Sequence, residues 1–161
     1  YSYQTLNSVD AQLFEIAQIN RRKNTNRLGG YDASDLLWSQ TEKIDRTNGS
    51  VKLQFKHLMS RIVVKIVKGE KFEGKLPEDI AIHIYNTVTT ASVDYLRQFG
   101  EDFYGTKNAI TIQRLSADTF TAILVPQNLE RRTPLVEITM GGISYLLDYS
   151  VSSCPGYQHT V

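Results

Sequence analysis

The chain has 161 residues, 41% hydrophobic and 22% charged, which fits one folded domain and excludes a disordered or collagen-like polymer. Eighteen Lys and Arg against 17 Asp and Glu leave a net charge of +1, so no broad nucleic-acid-binding face is expected. One cysteine, Cys154, excludes an internal disulfide and a cysteine-rich zinc site, and His57, His83 and His159 lack metal-ligand spacing.

The first residue is Tyr1 rather than Met, which reads as a processed protein or a fragment whose signal peptide is already gone. No window approaches the roughly 18 consecutive apolar residues of a membrane-spanning helix. Leu13–Ile19 reads as a strand carrying Phe14 and Ile16, or as a helix capped by Ser8 with Leu13, Ile16 and Ala17 on one side. Asn20–Asn26 is polar and basic, the composition of a solvated loop. Asp35-Leu36-Leu37-Trp38 is a compact apolar group that must bury, since the single Trp carries a large apolar area.

From Val51 onward the hydrophobic period is two, the signature of strands buried on one face. Val51, Leu53 and Phe55 alternate with Lys52, Gln54 and Lys56. The same pattern recurs at Ile62, Val64 and Ile66, at Ile80, Ile82 and Ile84, and at Phe120, Ala122 and Leu124. Shorter candidates are Ala91–Tyr95 and Ala109–Gln113. Val136, Ile138 and Met140 lead into Gly141-Gly142, and Tyr145, Leu147 and Tyr149 follow. That is the strongest hairpin signal in the chain, because both central residues of a type I′ turn need positive φ. Gly156–Val161 looks like a strand at its start, which predicts a missing C-terminal portion. Eight or so short strands separated by Gly, Asn and Pro read as an antiparallel sandwich or barrel. Residues 1–161 read as a single domain with a less regular leading segment over 1–30.

No pattern in the chain predicts catalysis or a cofactor. Gly29-Gly30 and Gly141-Gly142 lack the spacing and the Lys-Ser/Thr of a phosphate loop. His57, between two strands and without a nucleophile motif, is expected to satisfy backbone groups. His83 alternates outward from an Ile-rich strand and is expected to be exposed. Cys154, beside Pro155-Gly156, reads as a small turn residue. Glu78-Asp79 and Glu101-Asp102 read as solvated turns rather than an acid–base pair. Asn48-Gly49-Ser50 matches a glycosylation sequon and is better explained as a turn. Arg131-Arg132 and Arg21-Arg22-Lys23 are basic loop clusters, and Arg21 and Arg22 are candidates for a protease-processing loop, since exposed loops are where nicking concentrates. Tyr95, Phe99, Phe103 and Tyr104 form a candidate aromatic surface loop; the competing expectation is a loop packed onto its own sandwich. Tyr157, His159 and Val161 mark a candidate edge able to accept a strand from another chain.

Tyr31–Trp38, Val51–Val64, Thr89–Val93, Phe120–Gln127, Ile138–Tyr145 and Pro155-Gly156-Tyr157 keep an order and spacing over residues 31–161 that resembles the fimbrillin family. These are the Mfa-like fimbrial subunits of Bacteroidales. The resemblance implies an all-β, antiparallel transthyretin-like β-sandwich of about seven to eight strands, Greek-key type, forming the N-terminal domain of a longer subunit. It implies a non-catalytic role at the cell surface and outer membrane, with export as a lipoprotein. It further implies cleavage by an Arg-specific or trypsin-like protease, after which subunits join other fimbrial subunits by β-strand exchange. The edge at Tyr157, His159 and Val161 is the expected exchange site. The alternative function is a surface lipoprotein module that binds glycans or host proteins. Three features depart from the family pattern. There is no N-terminal lipid-attachment cysteine and Cys154 stands in the wrong place to serve; the expected first strand and second domain are absent or truncated; and residues 1–30, which carry Arg21 and Arg22, match the family pattern poorly.

Overall fold

Alternation yields a strand only where both a partner strand and a core receive it, and the computed structural model shows which segments meet both conditions. It describes residues 12–15, 30–39, 49–93, 107–129, 134–148 and 150–161. In chain order they form β1 (Gln12–Glu15), α1 (Gly30–Ser34), β2 (Leu37–Trp38), β3 (Lys56–His57), β4 (Ser60–Lys65), β5 (Ala81–Val88) and β6 (Thr90–Val93). There follow β7 (Lys107–Thr111), β8 (Gln113–Arg114), β9 (Thr119–Leu124), β10 (Asn128–Leu129), β11 (Val136–Met140), β12 (Ile143–Leu147), β13 (Val151–Ser152) and β14 (Gln158–Thr160).

Two four-stranded sheets carry the sandwich, in the orders β12-β11-β5-β7 and β14-β4-β9-β8. Smaller pairings, β1-β6, β2-β3 and β10-β13, sit at the margins. Among the described residues all pairings are antiparallel except β14 with β4, which is parallel, and the expected all-β antiparallel sandwich is the one observed. The core forms from the predicted alternating faces. Ile82, Ile84, Ile110 and Val136 come from the first sheet, and Ile62, Val64, Phe120, Ala122 and Leu124 from the second; all are buried. The β11–β12 hairpin turns on Gly141 (φ +59°) and Gly142 (φ +76°), the pair of positive φ values that a type I′ turn demands.

Three local expectations are corrected. Val51, Leu53 and Phe55 form no strand and stay about half exposed, because pairing in this region begins only at Lys56, opposite Trp38. Tyr145 and Leu147 pair as expected with β11, yet both are exposed, as is Ile143, since β12 is the outer strand of its sheet; Tyr149 lies outside the described residues. In β9 the alternation fails in the other direction. Thr121 and Ile123, on the face expected to be solvated, are buried as deeply as Phe120 because α1 packs across that strand. Trp38 is buried beside them in the common core, as its size requires.

Candidate interaction site

The outer face of the second sheet, where α1 lies across it, brings together one group of polar and aromatic side chains. Register fixes the floor. Gln158 of β14 pairs with Arg61 of β4, and Arg61 pairs with Ile123 of β9, so the three stand in one row on one face. Tyr31 of α1, Asp35 just after it, His57 and Tyr157 complete the lining of a recess of about 240 Å³. His57 Nδ1 donates to Asp35 Oδ1 at 2.7 Å. His57 is exposed and bound to a carboxylate, which corrects the expectation that it serves backbone groups. A second tie, Leu58 N–H to the Leu36 carbonyl at 2.9 Å, holds the α1–β2 segment against the β3–β4 segment. Arg61 Nε donates to Thr121 Oγ1 at 3.1 Å, and Thr121 Oγ1 donates to the Ile62 carbonyl at 3.1 Å. Gly156 enters this corner with φ +73°, and a Cβ there would meet the His57 carbonyl oxygen at 3.2 Å.

The last strand is an outer strand of its sheet, with β4 on one side. The Tyr157 carbonyl accepts from Arg61 N–H, Val161 N–H donates to the Val63 carbonyl, and the Val161 carbonyl accepts from Lys65 N–H. A strand directs alternate residues' backbone groups to opposite sides, so Gln158 and Thr160 present theirs to the outer side. Of the candidate edge residues, then, Tyr157 is exposed, Val161 packs on the core, and His159 pairs with Ile62 with its Nε2 buried. Arg21 and Arg22, like Tyr95, Phe99, Phe103 and Tyr104, lie outside the described residues.

A second polar group occupies the outer face of the first sheet. Tyr85 Oη donates to Glu137 Oε2 at 2.5 Å, and His83 Nδ1 lies 3.7 Å from the same oxygen, too far for a hydrogen bond. The hydrogen bonds from Tyr85 and Ser144, followed by the charge of His83, hold the Glu137 carboxyl below its ordinary pKa. The bond to Glu137, then burial, raises the Tyr85 phenol. His83 is half-buried rather than exposed as expected. Cys154 is an exposed free thiol in a turn, its carbonyl accepting from Tyr157 N–H at 3.2 Å. No group of three or more His, Cys, Asp or Glu able to hold a metal occurs among the described residues. No helix among them is long and apolar enough to cross a membrane.

Sequence reading missed Tyr31, Asp35 and Arg61 as partners. The signal available was faint: Arg61 occupies an outward position in a strand whose neighbours on the other face are Ile62 and Val64.

A family model described as fimbrillin-like matches residues 1–161, the whole chain. The chain belongs to the fimbrillin-like family. Its structure is similar to that of a candidate cell adhesion protein from Bacteroides uniformis, with a TM-score of 0.67 and 16% identity over all of this chain. It is also similar to candidate cell adhesion proteins from Bacteroides ovatus (TM-score 0.52, 16% identity, 69% of this chain) and Bacteroides thetaiotaomicron (0.50, 16%, 68%). The chain spans 65%, 42% and 47% of those three proteins' own lengths, respectively. No curated protein matches it. At these identities the structural likeness establishes the sandwich. Membership of the fimbrillin-like family makes the chain a non-enzymatic structural protein of the cell surface.

Proposed function

We propose that this fimbrillin-like chain is the N-terminal domain of a fimbrial subunit that polymerises by β-strand exchange after cleavage between β1 and α1. One observation carries the reading. Among the described residues β1 pairs with β6 alone, and β6 with β1 alone, in the register Gln12–Val93 to Glu15–Thr90. Only β1's removal is then needed to leave β6 with an open row of backbone donors and acceptors, which a strand from another subunit can satisfy. Arg21-Arg22-Lys23 lies in the sequence between β1 and α1, where a trypsin-like cut would separate the two. On this reading the precursor is exported as an outer-membrane lipoprotein and its partners are other fimbrial subunits.

The test is the full-length precursor run unheated on a denaturing gel before and after limited trypsin treatment. A detergent-resistant ladder appearing only after cleavage is expected, because separating exchanged subunits exposes a whole buried strand at once. A single band in both lanes overturns the reading.

A further inference from the structure

The recess under α1 is lined by no residue of β1 or β6, the pair proposed to exchange, and its donors, acceptors and rings converge on one small volume. Its roughly 240 Å³ falls below the roughly 300–1,000 Å³ of sites that enclose a drug-sized molecule, so it admits one ring-sized group. Arg61 spends only Nε within the fold, on Thr121; its two terminal nitrogens have no hydrogen-bond partner among the described residues. Asp35 receives His57 on Oδ1, which leaves Oδ2 as an acceptor. A fixed cation and a carboxylate thus line the same recess. A carboxylate ligand would meet Asp35, and an ammonium ligand would meet Arg61. An uncharged ligand whose neighbouring groups each donate and accept satisfies both, and vicinal hydroxyls do this.

The aromatic side chains narrow the chemistry further. Tyr157, 67% exposed, stands at the rim, and Tyr31 is half-buried in the wall. A large exposed ring beside a polar recess offers a flat apolar surface with a hydroxyl at its end. A pyranose presents the complement, a flat C–H face edged by hydroxyls. We propose that this recess binds a single uncharged hexopyranose unit of a glycan. Tyr157 packs on the sugar's C–H face, Arg61 donates to its hydroxyl oxygens, and Asp35 accepts from a neighbouring hydroxyl. Recognition of this kind is independent of polymerisation, and the unprocessed chain possesses it.

Saturation-transfer NMR on the full chain, with methyl glycosides of uncharged hexoses as probes, tests the assignment. Transfer concentrated on one face of ring C–H protons is expected. Tyr157→Ala, a change at an exposed side chain that leaves the core intact, lowers affinity about tenfold or more. Arg61→Met produces a comparable loss, with folding checked by circular dichroism because Arg61 also holds Thr121. Three results overturn the proposal: no transfer from any uncharged glycoside at millimolar concentration, transfer that Tyr157→Ala leaves unchanged, or binding confined to glycosides that carry a carboxylate.

Discussion

At the scale of single residues, backbone conformation and one carboxylate supply separate predictions. Gly142 has φ +76°, and a Cβ added there would meet nothing within 4 Å, so a side chain carries conformational cost alone. Gly142→Ala is expected to lower stability by about 1 kcal/mol, and Gly141→Asn by less, since Asn tolerates the left-handed region. Gly156→Ala should cost more than Gly142→Ala, because its Cβ also crowds the His57 carbonyl oxygen at 3.2 Å. Urea midpoints of the three variants check the order. Glu137 makes a pH prediction. Its pKa is lowered, first by the Tyr85 hydrogen bond, so its contribution to stability is present above the unfolded-state value and is lost as pH falls through the folded value. Tyr85 is raised, so its contribution is present below the ordinary phenol range and is lost as pH rises through the folded value. Stability from this pair is therefore greatest between the two ranges. Glu137→Gln should flatten the decline in stability below about pH 5, measured by urea unfolding at a series of pH values.

At the scale of elements, burial separates the alternating segments that fold into the sandwich from the one that does not. Ile84 is fully buried in β5, so Ile84→Ala should cost about 3 kcal/mol through lost transfer energy and the cavity left behind. Leu53, 52% exposed outside any strand, should change stability by no more than about 0.5 kcal/mol when replaced by Ala. Thermal unfolding of the pair checks the contrast; equal losses would mean that Val51–Phe55 packs as a strand after all. The same contrast explains what was legible in the sequence. Ile62 and Val64, Ile82 and Ile84, and Phe120 to Leu124 were readable because period two and burial coincide there. The Gly-Gly hairpin was readable because only its turn chemistry was needed. Val51–Phe55 has the period without a partner strand, and Ile143–Leu147 has a partner without a core above it; local sequence encodes neither condition. The burial of Thr121 and Ile123 depends on α1, about ninety residues earlier in the chain. The recess was illegible for the same reason. Tyr31, Asp35, His57, Arg61 and Tyr157 become neighbours only through the pairing of β14 with β4 and the packing of α1 on β9.

At the scale of the whole molecule, two sheet margins compete as acceptors of a neighbour's strand. One is β6, whose ladder in the described structure is supplied by β1. The other is the outer side of β14, where Gln158 and Thr160 turn their backbone groups away from β4. The two differ in what cleavage does to them. Cutting at Arg21 or Arg22 and losing β1 strips hydrogen bonds from β6 and changes nothing at β14, which is bound to β4 before and after. Hydrogen exchange of the precursor, the cleaved monomer and the polymer therefore distinguishes them, because exchange slows wherever ladder bonds form. If β6 is the acceptor, amides within Thr90–Val93 are protected in the precursor, exposed in the cleaved monomer, and protected again in the polymer. Amides of Gln158 and Thr160 stay constant through all three states. The opposite pattern, with protection gained at Gln158 and Thr160 on polymerisation and Thr90–Val93 unchanged by cleavage, would assign exchange to β14 and leave β1 a permanent part of the sandwich. The β6 outcome is expected, because a strand held by one neighbour alone can be exchanged without disturbing either four-stranded sheet.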